Sequence, residues 1–396
     1  MKRRNFIKKS AFVSAGTLLV PQFIRAMQMT GNSIGKAKKL VVVQLSGGND
    51  GLNTVIPYRN DLYYQLRPAI AINQKDVLKV GDSLGLNPVL QGIRKLFDNG
   101  DATIINSVGY PNPDRSHFRS MDIWQTASAS DEYLSHGWLG KYLDQSCTDC
   151  QAYQAIEVDD ALSLALKGEN RKALSLKDPA KLYRATRGLY KKQLDEVKHQ
   201  HEHSNLGYLY KTMAETIESA EYVFEQSKVY KTVQTYPNNA FGRDLKLVAQ
   251  LINSGIDTEI FYVSLNGFDT HANQNGRQNN LLKNYDAGIS AFVKDLKSQG
   301  NWNETLVMTF SEFGRRVAQN ASRGTDHGTA NNLMLFGGSL KKPGFYNKAP
   351  DLSNLDAGDL IYQVDFRNIY SSILNNWLNT DEKEILGHHF ESIDLF

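Results

Sequence analysis

Three short polar segments each follow an apolar run of the kind that forms a buried β-strand, and they lie far apart in the chain. They read Ser-Gly-Gly-Asn-Asp-Gly at 46–51, Gly-Phe-Asp-Thr-His at 267–271 and Ser-Glu-Phe-Gly-Arg at 311–315. In an open sheet of parallel strands, ligands bind at the carboxyl ends of the strands, where segments distant in sequence meet. The three segments would gather carboxylates and an imidazole there, which indicates a metal site.

Strand and helix patterns alternate along most of the chain. Apolar, β-branched runs predict buried strands, and apolar residues spaced three and four apart predict helices. The predicted strands cover 40–45, 102–108, 258–265 and 305–310, and the predicted helices cover 89–97, 241–253 and 285–296. This alternation predicts an α/β fold with a doubly wound, mostly parallel sheet and right-handed crossovers.

A polar and charged stretch interrupts this pattern between 179 and 227. Its apolar residues recur at helical spacing, as in Leu182 with Leu189 and Met213 with Ile217. The stretch predicts two long helices that form a cap or insertion at about 175–235. A chain of 396 residues suits one large domain with an insertion or two modest domains, and we expect the former, covering 36–396.

The N-terminal segment has the pattern of a bacterial export signal. Arg3 and Arg4 precede Phe-Ile-Lys, a mild apolar run covers 10–20, and Ala26 would end a cleavage site. Paired arginines before such a run are typical of the twin-arginine route, which exports folded proteins. We predict a signal peptide and linker at 1–35 and a periplasmic or cell-envelope location. An uncleaved anchor is the alternative, but the run is too short and polar for a stable membrane span.

Charge and cysteine content narrow the function classes. The net charge is +3, and basic residues beyond the N-terminus are interspersed with acids, so no nucleic-acid partner is expected. The 2 cysteines, Cys147 and Cys150, would form a local structural disulfide in an exported protein, because a zinc knuckle needs a second pair. A redox role is the alternative, although the motif follows a helix-like segment rather than a strand.

Several motifs together resemble the domain-of-unknown-function 1501 family. They are the segment at 45–55, Arg-Ser-His-Phe at 115–118, Gly-Trp-Leu-Gly at 137–140 and the segments at 267–271 and 311–315, combined with the export signal. The match spans nearly the whole chain. That family resembles the alkaline phosphatase and sulfatase superfamily, so the resemblance implies an alkaline phosphatase-like fold and metal-assisted hydrolase ancestry. Membership does not by itself establish activity.

The resemblance also implies metal ligands by position. In the superfamily pattern the first strand ends in a metal-binding aspartate, which Asp50 matches. A later Asp and His on one strand end match Asp269 and His271, and a downstream histidine matches His327. Asp269, His271 and His327 would make one site of mixed oxygen and nitrogen ligands, which suits zinc or manganese.

The second metal position of the superfamily is incomplete in this sequence. Where the pattern has Asp-His, the chain has Glu312-Phe313, so the carboxylate is kept while the imidazole is replaced by a ring that cannot bind metal. Asp50 and Glu312 would hold a weaker second ion, for which magnesium or calcium is suitable. Two alternatives are that Asp326 compensates, or that the position is empty and Arg315 or Arg316 supplies the positive charge.

A hydroxyl near the metal is the expected nucleophile. Ser116 follows the turn at 111–114 and precedes a helix-like stretch, so the cation and the helix dipole would both stabilise its alkoxide. An N-cap role for the same helix is an equal alternative. Thr54 and Ser120 are rival hydroxyls, and the neighbouring His117 would orient a substrate oxyanion or cap a turn.

These observations predict an exported, metal-dependent hydrolase of phosphate or sulfate esters, acting on a small-molecule or carbohydrate ester. Such chemistry needs positive charge to neutralise the developing oxyanion and an oxygen nucleophile held in line. Its other expected partner is the twin-arginine export machinery. The alternative is a catalytically silent scaffold or binding protein of the cell envelope with the same fold. Phe313 favours the silent protein, whereas the retained acids and histidines favour the enzyme.

Overall fold

The structure is a computed structural model that describes residues 37–146, 151–170, 173–187 and 205–396, without the side chains of 205–212. The signal segment predicted at 1–35 and the two cysteines lie outside the described residues, as does part of the predicted insertion. In the described ranges, no helix combines the length and the apolar character needed to cross a membrane.

The described residues form fourteen strands and ten α-helices. The strands are β1 (Lys39–Ser46), β2 (Val55–Ile56), β3 (Leu78–Lys79), β4 (Gly85–Leu86), β5 (Ala102–Gly109), β6 (Ala155–Glu157), β7 (Leu174–Ser175), β8 (Ile260–Asn266), β9 (Thr305–Phe310), β10 (Asn331–Gly337), β11 (Gly344–Phe345), β12 (Leu355–Asp356), β13 (Asp359–Leu360) and β14 (Val364–Asp365). The helices are α1 (Asp61–Leu66), α2 (Gln91–Asp98), α3 (His117–Thr126), α4 (Trp138–Ser146), α5 (Pro179–Thr186), α6 (Asn205–Val229), α7 (Ala240–Asn253), α8 (Gln274–Ser298), α9 (Phe366–Ser372) and α10 (Glu382–Leu386).

A large sheet forms the centre of the fold. In the described part of the chain its strand order is β11-β5-β10-β9-β1-β8-β6-β7, with β14 also paired to β5. β1 lies between β8 and β9 and runs parallel to both, whereas β10 is antiparallel to β9 and β5. The prediction of a mixed α/β fold with a mostly parallel sheet is therefore confirmed, and the antiparallel β10 is an addition to it.

Helices cover both faces of the sheet. Successive side chains of β1 point to opposite faces, so Val41 and Val43 join a core with α2, α7 and α8, while Leu40 and Val42 join a second core with α3, α4 and α9. Burial on both faces explains why β1 is a continuous apolar run rather than an alternating one. A smaller apolar cluster underlies the three-stranded sheet of β2, β3 and β4.

Two helices occupy the described part of the stretch in which an insertion is predicted. α5 and α6 contact each other through the stacked rings of Tyr183 and Phe224, whose centroids are 4.3 Å apart. α6 is also anchored to the rest of the protein through Tyr222, whose ring centroid lies 4.3 Å from that of Tyr153. The residues between the two helices, 188–204, lie outside the described ranges.

Candidate metal centre

The three polar segments meet because β1, β8 and β9 end at the same level of the sheet. Ser46 pairs with Asn266, and Gln44 pairs with Phe310, the last residue of β9. The turn after β1 approaches the other two segments so closely that only glycine fits. A Cβ on Gly47 would lie 2.5 Å from the Asp269 nitrogen, and one on Gly48 would lie 2.1 Å from the Phe313 ring. Both glycines also have positive φ.

Two histidines and an aspartate converge above this junction. His117, Asp269 and His327 each offer one ligand atom, and these atoms lie within 4.8 Å of one another. His271 adjoins the group, with Nε2 3.0 Å from Asp269 Oδ1 and 3.0 Å from His327 Nε2. The structure thus places the predicted ligands Asp269, His271 and His327 together, and adds His117, which the sequence analysis had assigned to catalysis.

Hydrogen bonds at Nδ1 aim Nε2 of two histidines at Asp269. His327 Nδ1 lies 2.8 Å from the Arg115 carbonyl oxygen, and His117 Nδ1 lies 2.8 Å from Glu312 Oε1. Because both oxygens accept, each Nδ1 carries a hydrogen, so Nε2 is the nitrogen that presents a lone pair when the ring is neutral. Metal-binding histidines commonly have this arrangement.

The donor set fits a cation. His327 Nε2 and Asp269 Oδ1 are 3.2 Å apart, and neither brings a hydrogen to that contact. The buried His117 Nε2 has no hydrogen-bond partner among the described residues and lies 3.5 Å from the same oxygen. If His271 Nε2 carried the ring hydrogen, it could donate in one of these contacts. Its Nδ1 would then present a lone pair to Asp326 Oδ1, which lies 3.4 Å away. A divalent ion would satisfy the converging lone pairs together.

Arg315 stabilises the anionic form of Asp269. Burial acts to raise the pKa of Asp269, but the hydrogen bond and charge of Arg315 outweigh it and lower the pKa to about 2. Arg315 Nη2 lies 2.8 Å from Asp269 Oδ1. The hydrogen bond to Glu312 raises the pKa of His117, whereas burial lowers the pKa of His327.

Arg315 is a buried link between loops, which differs from the catalytic role expected for it. Its guanidinium donates to the carbonyl oxygens of Gly47 and Gly48 after β1, Phe268 after β8, and Thr325. Because these contacts use most of its N–H groups, the guanidinium has little capacity to bind a substrate. Arg315 therefore fixes the position of Asp269 relative to the turn after β1.

Asp50 also differs from its expected role as a metal ligand. It is only 1 % exposed, and its Oδ2 lies 2.6 Å from Arg67 Nη1. Oδ1 accepts the backbone N–H of Leu52 and Asn53, as an N-cap residue does, and Gln274 donates to Oδ2. Both oxygens are engaged by the protein, so Asp50 is part of a buried ion-pair and amide network.

Glu312 is buried beside His117 and is positioned to orient it. Its Oε1 accepts from the Gly47 N–H at 2.8 Å as well as from His117. The structure gives Glu312 this supporting role in place of the second-metal role expected from the sequence. Across the described ranges, His117, Asp269 and His327 form the one cluster of three acidic or histidine side chains close enough to share an ion.

Phe313 packs against the imidazoles of His117 and His327. Its ring centroid lies 4.8 Å from that of His117 and 4.7 Å from that of His327. The substitution noted in the sequence thus places a packing surface behind the ligand histidines.

The candidate nucleophiles occupy different environments. Ser116 is exposed at the N-cap position of α3, where its side chain makes no capping hydrogen bond, and its N–H donates to Asp114 Oδ1 at 2.6 Å. Thr54 and Ser120 are buried, and their hydroxyls donate to the backbone oxygens of Asp50 and Asp114. Of the three, Ser116 has the accessible hydroxyl.

Sequence reasoning missed several supporting residues. Asn320 donates to Asp326 Oδ1 and to the His271 backbone oxygen, both at 3.0 Å, and so holds the two segments together. Arg67 and Gln274 fix Asp50. None belongs to a motif, and their roles depend on contacts between residues distant in the chain. No sequence signal would have identified them.

Comparison with known proteins gives a family but no reaction. The model of a family described as "Protein of unknown function (DUF1501)" matches residues 101–395. No curated protein matches the sequence significantly.

The solved structures to which this chain is similar are distant from it. The sulfatase PsFucS1 from Pseudoalteromonas sp. is 12 % identical with a TM-score of 0.39, covering 91 % of this chain and 71 % of that one. The lipoteichoic acid synthase LtaP from Listeria monocytogenes is 10 % identical with a TM-score of 0.36, covering 78 % and 68 %. Alkaline phosphatase from the Antarctic bacterium TAB5 is 12 % identical with a TM-score of 0.32, covering 79 % and 95 %. These likenesses are too weak to assign a reaction or a ligand.

Proposed function

Because this chain belongs to the DUF1501 family, as its motifs predicted, and that family carries no assigned reaction, we propose from the site itself that the protein is a metal-dependent hydrolase of phosphate or sulfate esters. The observation that carries the proposal is the convergence of His117, Asp269 and His327 on one point at the carboxyl edge of the sheet. The fold would be alkaline phosphatase-like, with the stretch at about 175–235 inserted in it.

One divalent ion would be held by His117, Asp269 and His327, with His271 as a fourth ligand. Three imidazoles and one carboxylate suit zinc best, and manganese is the alternative. When bound, the ion would neutralise charge that develops on the ester oxygens. The protein's own arginine, Arg315, would keep Asp269 ionised and in place.

Ser116 would be the nucleophile. Its exposed hydroxyl adjoins His117 at the N-terminus of α3, where the helix dipole favours negative charge. Its Oγ would bond to phosphorus or sulfur as the ester oxygen leaves with a proton. Water would then release the phosphate or sulfate and restore the hydroxyl.

The protein would act outside the cytoplasm. Arg3 and Arg4 in the segment at 1–35 support export by the twin-arginine machinery to the periplasm or cell envelope. Export of an already folded chain would let the metal be loaded before translocation.

A catalytically silent envelope protein is the second candidate. Two observations favour it: Phe313 packs where a second imidazole is expected, and Asp50 is bound to Arg67. Both remove a second metal position. Such a protein would keep the fold and use the remaining site for structure or ligand recognition.

Metal analysis combined with ester hydrolysis tests the proposal. We expect the purified full chain to contain close to one equivalent of zinc or manganese and to hydrolyse aryl phosphates or aryl sulfates. His327→Ala should lose metal and turnover together, whereas Ser116→Ala should keep the metal and lose turnover. His389→Ala is the control for loss of a histidine, since His389 bonds Glu382 and is not part of the site. No hydrolysis, with or without bound metal, would refute the hydrolase and leave the silent protein standing.

A further inference from the structure

A cavity lies beside the metal centre and shares Phe313 with it. Its volume is about 130 Å³. The Phe313 ring that packs against His117 and His327 also lines this cavity. None of the residues that would hold the metal lines this cavity.

The inner wall of the cavity is aromatic and buried, and its rim is open to solvent. Tyr110, Trp124 and Phe313 line it and are each at most 3 % exposed. At the rim, Ile361 is 43 % exposed, and Asn112 is exposed as well. A ligand can therefore reach the aromatic wall from the surface.

The size and chemistry of the wall suit one aromatic ring. A cavity of roughly 150 Å³ lined by apolar side chains stays dry and binds benzene. Aromatic side chains prefer a second ring in stacked or edge-to-face contact, with centroids roughly 4.5–7 Å apart. Asp114 and Asp356 also line the cavity, and their carboxylates would disfavour a negatively charged ring.

Trp124 provides an independent sign of a missing partner. Its ring N–H is buried and has no hydrogen-bond partner within the described residues. Leaving a buried donor unpaired destabilises the folded protein, so such groups are rare in native proteins. An oxygen on a ring bound against Trp124 would be a suitable acceptor for this donor.

The cavity also adjoins the segments that carry the proposed chemistry. Asp114, which lines it, accepts the Ser116 N–H at 2.6 Å. Thr329 and Ala330, which also line it, closely follow His327 in the chain. The cavity is therefore lined by the segments that lead to Ser116 and away from His327.

We propose that this cavity binds a single uncharged aromatic ring carrying an oxygen, the aryl part of the ester. Its assignment as the leaving-group pocket rests on the proposed function; the binding itself does not. Hydrolysis would then release a phenol, with phosphate or sulfate at the metal centre.

Binding of phenol to the metal-free full chain tests the inference without hydrolysis. The protein is stripped with a chelator, and phenol is titrated by calorimetry and by tryptophan fluorescence. We expect saturable one-site binding, a fluorescence change that Trp124→Phe removes, and at least fivefold weaker binding of cyclohexanol, which has the same size but no π face.

Two variants that fill the cavity make the test specific. Ile361→Trp at the rim and Ala330→Leu inside should each weaken phenol binding at least tenfold. Val233→Trp is the matched control, because Val233 is 88 % exposed and is not among the residues that line the cavity. If Ala330→Leu does not fold, Ile361→Trp decides alone. No saturable binding, or wild-type binding in the folded cavity variants, overturns the inference while leaving the hydrolase proposal intact. Phenol binding without ester hydrolysis supports the cavity and counts against the hydrolase.

Discussion

Glu312 would act on the proposed metal centre through His117 rather than by contacting an ion. Its carboxylate holds the Nδ1 hydrogen of His117 and thereby turns Nε2 toward Asp269. The same oxygen is fixed by the Gly47 N–H, so the rotation of the imidazole is tied to the turn after β1. Carboxylate–histidine pairs of this kind both orient the ring and make its free nitrogen a better ligand.

Replacing Glu312 by glutamine should weaken metal binding while leaving the ligands in place. The amide can still accept from His117 but loses the negative charge that raises the basicity of the ring. We expect a 10–100-fold loss of zinc affinity in a competitive chelator titration. Glu382→Gln is the control, because Glu382 makes the same contact with His389 elsewhere. Equal losses in the two variants, or no loss in Glu312→Gln, would contradict the role given to Glu312.

Individual ligand roles were only partly predictable from the sequence. The Asp-Thr-His segment at 269–271 keeps two side chains that can bind metal close together in any fold. The sequence alone was therefore enough to identify both as candidate ligands. Asp50 was selected by its match to the superfamily pattern, yet Arg67 and Gln274 engage its oxygens. Those partners are set by the packing of α1 and α8, which local sequence does not encode.

At the scale of elements, β6 brings a carboxyl group into the interior of the sheet. Glu157 is its last residue, is buried, and accepts the Ser163 N–H through Oε2. Burial raises the pKa of Glu157 from 4.5 to about 7. As the pH rises, the unfolded chain therefore loses this proton before the folded protein does. The resulting stability is present below pH 4.5 and is lost as the pH rises toward 7.

Glu157→Gln should remove this pH dependence. The amide still accepts from Ser163 and carries no charge to desolvate, so we expect the variant to gain up to about 3 kcal/mol in unfolding free energy at pH 8 and little at pH 4. Urea unfolding across this pH range measures it. The exposed Glu169→Gln provides the control and should follow the wild type. A variant no more stable than wild type at pH 8 would contradict a buried, neutral Glu157.

Element boundaries differ from prediction where polar residues are buried. The helix predicted at 285–296 begins at Gln274, because Gln274 and Gln278 fill its first turns with buried amides that periodicity counts as exposed. Their hydrogen bonds run to Asp50 and Asn49, on the turn after β1. β10 was missed because its short apolar run at 333–336 lacks β-branched residues.

For the molecule as a whole, the parallel register of β1, β8 and β9 determines where the site forms. Because these strands end at one level, their following loops must meet, and the sequence was sufficient to predict this edge. It was not sufficient to predict that α3 would deliver His117 to the same point. His117 comes from a connection after β5, which is separated from β9 by the unpredicted β10.

One divalent ion is proposed to bind at His117, Asp269 and His327. Anomalous diffraction at the zinc edge, from crystals of the zinc-saturated full chain, tests it most directly. We predict one peak coordinated by Nε2 of His117, Nε2 of His327 and the Asp269 carboxylate, with Asp50 still bound to Arg67. A peak coordinated by Asp50 with Arg67 displaced, or no peak near these residues, would contradict the account.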